Sequence, residues 1–293
     1  MKLSKESLIL DLKNLGVKEG DILFMAADLM RVGYFNKDRN QTLTDWIDIL
    51  IDCVGETGTL IIPSYTESFL KFKKNTNIVF TQNSKSLSGS LSQALLDNKT
   101  KYKNFVRSSH PTNSLIGIGA KSKQILEGHD ETTYAYLPYH RLVENNAKNL
   151  MLGSFDDASL SPMAIHAAQE SLGFTKKHYL SGMLQSYYYN NERVLKKFTR
   201  KSVGGCTKGG NKIIGYLLKE KNCIKIQKTG RSNSALIDIN KSYQLFLKYY
   251  KLDNTFFRCE NQKCKDCYGS RAYNKFYIFY WIRFVLNSVW IQK

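Results

Sequence analysis

Apolar residues recur along the first 170 positions in short runs that alternate between helical and strand-like spacing. Leu8, Leu10, Leu12 and Leu15 predict a helix over 4–15, stopped by Gly16. The run Asp21–Ala26, bounded by Gly20, predicts a buried strand. Thr42 begins a second helix in which Leu43, Trp46, Ile47, Leu50 and Ile51 share one face, with Gly55 at its end. Thr59–Ile62 is a strand stopped by Pro63, 87–96 a helix, 114–118 a strand, 121–127 a helix, and 149–152 a strand ending at Gly153. Ser161-Pro162 is expected to open a further helix, with Ser as cap and Pro at the first helical position.

Strands alternating with helices indicate an α/β fold, a sandwich of helices around a mostly parallel or mixed sheet. After residue 200 the pattern changes. Two short strands are expected within 211–228, a helix over 239–250, and an aromatic-rich helix over 272–290. This predicts an α/β core over 1–210 and a basic, Cys-containing C-terminal extension over 211–293, packed on that core.

Charge sharpens that division. Residues 1–190 hold 21 basic and 19 acidic side chains, whereas 191–293 hold 22 and 6, so nearly all of the net +18 is C-terminal. A basic half suits an anionic partner or is a lysine-rich solvated surface. No paired Cys/His finger and no aromatic-basic strand signature supports nucleic acid as that partner. Six cysteines in 293 residues are too few for a disulfide scaffold. The amphipathic, charged N-terminus lacks the apolar core of a signal peptide, which predicts a cytoplasmic protein. No run of 18 uncharged apolar residues spans a membrane. The aromatic tail 272–291 would pack on the domain or a second copy of the chain, or lie in a membrane interface. GxxxxGK[ST], GxSxG and a strand-following GxGxxG are all missing, which removes P-loop and α/β-hydrolase chemistry.

Four segments hold residues suited to chemistry. On a helix, Gln169 and Glu170 fall three and four positions after His166, on the side of the imidazole. A carboxylate that holds one ring nitrogen raises the basicity of the other, as a general base requires. Arg107-Ser108-Ser109-His110 runs into the 114–118 strand, with Pro111 holding His110 extended. Ser64-Tyr65-Thr66-Glu67 follows a strand end, where α/β proteins bind ligands. Cys259, Cys264 and Cys267 contain the CxxC spacing of thiolate metal sites, and a fourth ligand would be Cys206, Cys223 or a His. One such triplet is a weak signal, so free reduced thiols are the expectation there and a structural metal the alternative.

Seven short segments, taken in order, resemble the aminoglycoside 3-N-acetyltransferase family, also called the antibiotic N-acetyltransferase family. They are Gly20-Asp21-Ile-Leu-Phe-Met-Ala-Ala-Asp28-Leu, Gly55-Glu-Thr-Gly58-Thr-Leu-Ile-Ile-Pro63-Ser-Tyr-Thr66, Gly89-Ser90-Leu91-Ser, Arg107-Ser-Ser-His110-Pro111-Thr-Asn-Ser114, Asn149-Leu-Met-Leu-Gly153, Ile165-His166-Ala-Ala-Gln169-Glu170 and Val203-Gly-Gly-Cys206-Thr. The resemblance covers roughly residues 18 to 210.

It implies transfer of an acetyl or short acyl group from coenzyme A to an amine on a sugar ring, with no metal needed for the chemistry. It makes His166 the general base acting by direct attack, with no acyl-enzyme. The family's His-x-x-Glu places Gln169 where a Glu is expected, so Glu170, Asp28, Asp156 or Asp157 would orient the base. A second departure is Ala26-Ala27, where aminoglycoside-acting members usually have His-Ser. The acceptor would lie near Asp28, Tyr65, Glu67, His110 and Asp156. Coenzyme A would lie near Ser90, Arg107, Ser108 and Ser109, with Ser109 also an oxyanion donor and Arg141 and C-terminal lysines on its phosphates. Because aminoglycosides are polycations, the +18 charge favours an anionic, nucleotide-linked amino sugar for surface polysaccharide. The aminoglycoside itself, and an inactive interaction protein of the same fold, are the other two expectations.

Overall fold

The structure of the chain, a computed structural model, describes residues 3–33, 38–73, 78–157 and 160–290. Its strands are β1 (Ile22–Ala27), β2 (Thr59–Pro63), β3 (Phe69–Leu70), β4 (Val79–Phe80), β5 (Val106–Arg107), β6 (Leu115–Gly119), β7 (Lys148–Leu152), β8 (Leu184–Tyr189), β9 (Leu195–Arg200), β10 (Ile224–Thr229) and β11 (Ser232–Asp238). Seven of them form one sheet in the order β10-β11-β7-β1-β2-β6-β5. β7, β1 and β2 are mutually parallel at its centre, while β6 and β11 run antiparallel on the two flanks. The expected mixed α/β sandwich is therefore the observed fold.

The period-two alternation of strand side chains divides the core between the two faces of this sheet. Leu23, Met25, Leu60, Ile62, Leu150 and Leu152 join one buried cluster with Leu8, Leu12, Trp46 and Leu50, from the Lys5–Leu15 and Arg39–Val54 helices. Ile22, Phe24, Ile61, Met151 and Ile237 join the other, under the Leu137–Glu144, Ala164–Ser171 and Ile239–Leu252 helices. Burial on both faces explains why these strands read as unbroken apolar runs.

Three expectations are corrected. The helix after β7 begins at Ala164, behind Met163 and without a side-chain cap; the Ser161 Oγ is instead buried with no partner among the described residues. Residues 211–217 form short helical turns, so of the two expected strands within 211–228 only β10 is present. A boundary at 210 would cut through the structure, because β11 pairs with β7 inside the central sheet and the Ile239–Leu252 helix packs on Ala164–Ser171.

The sequence pattern also missed a second sheet. β8 lies at its centre, with β9 antiparallel along one side and β3 and β4 along the other. Its hairpin turns at Asn190–Val194, where Asn190 accepts from the Val194 amide at 2.8 Å and Arg193 adopts a φ of 60°.

The Tyr277–Trp290 helix is anchored through Trp281, whose indole N–H donates to the Gly269 carbonyl at 2.8 Å, and through the Tyr280 hydroxyl on the Lys263 carbonyl at 2.9 Å. Ile278, Phe279, Ile282 and Val285 stay exposed. No helix among the described residues is long and apolar enough to cross a membrane. Residue 291, the last of the aromatic tail, lies outside the described residues.

Candidate active site

His166 is placed by the central strand β7. The Asn149 Oδ1 of that strand accepts from the Met163 amide at 2.9 Å, tying the strand to the start of the Ala164–Ser171 helix. Ala164, Ala167 and Ala168 bury one face of the helix, and their small size lets it sit close to the core. His166 projects beside them into a tyrosine cluster. Its ring is stacked on Tyr136, with centroids 4.9 Å apart and planes 11° apart, and Tyr139 meets it edge-on at 5.9 Å.

Tyr136 and Tyr139 are three residues apart at the start of the Leu137–Glu144 helix and so face the same way. The Tyr139 hydroxyl shares a hydrogen bond with the Tyr65 hydroxyl, which reaches in from the loop after β2. Phe24 of β1 packs on Tyr139 at 5.2 Å. Groups from beyond β2 and after β7 thus converge at one end of the parallel strands, the position at which α/β sheets hold ligands.

The segment 203–206 closes one side of the cluster. The Gly204 amide donates to the Tyr136 hydroxyl at 2.9 Å. A Cβ at Gly204 would lie 2.7 Å from both the His166 Nδ1 and the Tyr136 Oη, so the tight approach requires glycine. The Gly205 amide donates to the Gln169 Oε1 at 3.1 Å, and the Gln169 Nε2 donates to the Tyr250 hydroxyl at 3.1 Å.

Glu170 turns elsewhere. Consecutive helical residues diverge by about 100°, and Glu170 meets His140 of the neighbouring helix at 3.2 Å, leaving its other oxygen buried with no partner among the described residues. The His166 Nδ1 is also buried, with no hydrogen-bond partner among the described residues. Burial lowers the ring to about 4, reinforced by the Arg200 charge and opposed by the Gln169 carboxamide. His166 is therefore a neutral imidazole at pH 7, able to accept a proton but with no carboxylate to stabilise the cation that results.

Several other expected site residues serve the scaffold. The Arg107 guanidinium donates to the carbonyls of Gln82 at 3.0 Å, Ser84 at 2.6 Å and Ser64 at 3.2 Å, and to the Ser114 Oγ at 3.3 Å. The Arg141 Nη1 caps the end of the Ser122–Leu126 helix, donating to the carbonyls of Gln124, Ile125 and Glu127. The Arg107 guanidinium and the Arg141 Nη1, the latter expected on the phosphates, thus hold the protein's own main chain together. Ser108 is buried, with its Oγ accepting from the Leu115 amide at 2.9 Å and meeting the His129 Nδ1 at 3.0 Å. The His110 Nδ1 accepts from the Thr112 and Asn113 amides, and its ring stacks on His129 at 4.9 Å.

Ser109 is exposed and bonded to the Gln82 side chain at 3.1 Å. Ser90 and Glu67 are exposed, Ser90 as the first residue of the Ser90–Asp97 helix. Asp28 caps the short Leu29–Val32 helix and pairs with Arg31 at 3.2 Å, while Asp156 accepts from Asn233 at 3.2 Å. Glu170, Asp28 and Asp156, named as partners for His166, thus each bond elsewhere. Among the predicted residues the structure brings His166, Gln169 and Tyr65 into one cluster. Tyr136, Tyr139, Gly204 and Gly205 were missed as site residues. A Tyr-x-x-Tyr pair opening a helix and a Gly-Gly dipeptide were the signals available for them.

Two cavities flank this end of the fold. One, of about 800 Å³, is lined by His110, Ala135, Lys176, Lys197, Arg200 and Lys201 among others; Ala135 directly precedes Tyr136, and Arg200 is the cation felt by His166. The other, of about 630 Å³, lies beside Arg107, Ser109, His129 and Asp130. Glu131 and Tyr188 line both.

Set beside known proteins, the chain falls among N-acetyltransferases. The family profile described as aminoglycoside 3-N-acetyltransferase matches residues 24–251, more than three quarters of the chain. The chain belongs to the aminoglycoside 3-N-acetyltransferase family. It is 25% identical over 201 residues to aminoglycoside N(3)-acetyltransferase IX of Micromonospora chalcea, covering 64% of this chain and 69% of that protein. The fold matches solved structures. Aminoglycoside acetyltransferase AAC(3)-IVa superposes with a TM-score of 0.70 at 19% identity, over 93% of this chain and 98% of that one. AAC-IIIb in binary complex with CoASH gives 0.68 at 21% identity, over 85% and 97%. Sisomicin-bound AAC-VIa gives 0.67 at 20%, over 86% and 99%. The match to residue 251 carries the family core through β10, β11 and the Ile239–Leu252 helix, beyond the roughly 210 residues in which resemblance was recognised.

Proposed function

We propose that the chain transfers an acetyl group from acetyl-coenzyme A to an amino group of an aminoglycoside, with His166 as general base. The observation that carries this reading is the family match across 24–251, a span that contains His166, its tyrosine surround and Gly204-Gly205. The relatives named for CoASH and sisomicin favour the same pair of substrates. They outweigh net charge, which had favoured a nucleotide-linked acceptor.

In this reading the acceptor nitrogen attacks the thioester carbonyl. A C–N bond forms, the C–S bond breaks, and the amine proton passes to the His166 imidazole and then to the departing thiolate. The Tyr136 hydroxyl accepts from the Gly204 amide, which leaves its own proton free to donate to the developing oxyanion. Lys176, Lys197, Arg200 and Lys201 make the larger cavity suited to the phosphates of coenzyme A, and its wall leads through Ala135 to Tyr136. Glu131, common to both cavities, and Asp130 beside it offer carboxylates to the ammonium groups of a polycation.

The test is acetyl-CoA-dependent thiol release with aminoglycosides and, in parallel, nucleotide-linked amino sugars. Release with aminoglycosides that is lost in His166→Ala supports the proposal. Release with the nucleotide-linked sugars alone moves the acceptor class. Lack of release with both overturns the enzymatic reading in favour of an interaction protein.

A further inference from the structure

We propose that Cys206, Cys259, Cys264 and Cys267 form a tetrathiolate site for one structural zinc ion, which fastens the C-terminal segment to the loop that walls the His166 cluster. The four Sγ atoms all lie within 4.8 Å of one another, and Cys259 and Cys267 are 3.7 Å apart. Tetrahedral zinc with Zn–S bonds of about 2.3 Å separates its sulfurs by roughly 3.8 Å. The spacing thus matches four ligands around one ion. It is far longer than a disulfide bond of about 2.05 Å. Cysteines holding an iron–sulfur cluster stand outside a cage of several irons and would be more widely separated.

The chain is folded to bring these sulfurs together. Cys264 and Cys267 bracket the start of the short Lys265–Tyr268 helix, and the Asn261 carbonyl accepts from the Cys264 amide at 2.9 Å to close the preceding turn. The Cys259 amide points at the Cys267 sulfur at 3.4 Å, a contact that supports a thiolate more than a thiol. Cys206 arrives from more than fifty positions earlier in the chain. Its approach depends on Gly209, where a Cβ would lie 1.8 Å from the Phe257 carbonyl oxygen, so backbone is pressed on backbone beside Cys259.

Cys259 and Cys267 are buried and the other two are half-buried. Four uncharged thiols there would gain little from one another. Four thiolates around Zn²⁺ carry a net charge of −2, and Lys208, Arg258 and Lys265 adjoin the cluster in sequence to balance it. Zinc binding displaces the thiol protons to solvent, with no oxidant or reductant involved. Cys206 directly follows Gly204-Gly205, the pair bonded to Tyr136 and Gln169. The ion would therefore fix the register of that wall without touching substrate, as a positioning element.

The experiment is metal analysis of the full chain, purified under reducing conditions from zinc-supplemented medium and dialysed. About one zinc per chain, released as a thiol-specific mercurial titrates four cysteines, is the expected result, together with a lower melting temperature after chelation. Cobalt exchanged into the site should show the visible bands of tetrahedral S₄ coordination. Cys264→Ser should lose most of the zinc, whereas Cys53→Ser should retain it. Zinc at trace level in the unsubstituted protein, iron in its place, a mapped disulfide among the four, or release that tracks Cys53 or Cys223 would each overturn the assignment. The release titration on unsubstituted protein decides the matter even if Cys264→Ser fails to fold.

Discussion

The His166 imidazole lies parallel to the Tyr136 ring, 4.9 Å away and tilted by only 11°. Stacking fixes the plane of the base without using either nitrogen, and burial holds it neutral, at about 4. Loss of the ring in His166→Ala should lower kcat/KM for acetyl transfer by about 10²–10⁴-fold. Steady-state thiol release measures it; an unchanged rate would move the base elsewhere.

Gln169→Glu tests the departure at the dyad. Gly205 N–H and Tyr250 O–H can both donate to a carboxylate, so the substitution needs no new partner. The added negative charge should raise the His166 pKa and strengthen the base. The expected outcome is a faster rate at neutral pH, with an acid limb displaced upward relative to the parent chain. The pH profile of kcat is the readout.

Tyr136→Phe keeps the stacked ring and removes the acceptor for the Gly204 amide. We expect a fall in kcat of roughly 10²–10³-fold, the scale seen for removal of one oxyanion donor, with little change in KM. A change confined to KM would assign Tyr136 to binding.

Arg107→Met should reduce stability rather than weaken coenzyme A binding. The substitution strands three carbonyls and a hydroxyl that now share one buried guanidinium. A cost of about 2–4 kcal/mol is expected in urea unfolding, with KM for acetyl-CoA unaltered in protein that remains folded.

Stability should also fall in mild acid. Burial lowers His129 to about 3 and His166 to about 4, and holds His110 well below its usual range. The unfolded chain therefore binds these protons first. The stabilisation is complete above about pH 6.5 and is lost as the pH drops from there toward 4 and below. Urea midpoints across that range should decline, and His129→Gln should flatten the slope.

The apolar runs made the central strands and their order along the chain readable, because strands buried on both faces need little but apolar residues. Helix starts were less legible. The Arg39–Val54 helix begins three residues before Thr42, behind the Asp38 cap, whose carboxylate accepts from the Asn40 and Gln41 amides. The sheet built on β8 was missed because β8 and β9 are largely half-exposed, β8 ends in three consecutive tyrosines, and neither shows clean alternation. His166 was legible through its motif. Its surroundings were not, since Tyr136 and Gly204 lie 30 and 38 positions away and meet it only in the folded chain. The choice of Gln169 over Glu170 was fixed by which of two adjacent side chains the neighbouring helix, through His140, drew aside.

The place of β11 beside β7 has a consequence for biosynthesis. Until residues 232–238 leave the ribosome, β7 presents an unpaired edge, and everything made earlier must wait with that edge open. A nascent chain stalled near position 220 is thus a sticky species, prone to pair with copies of itself or to be held by chaperones, and the arrival of β11 is what seals it.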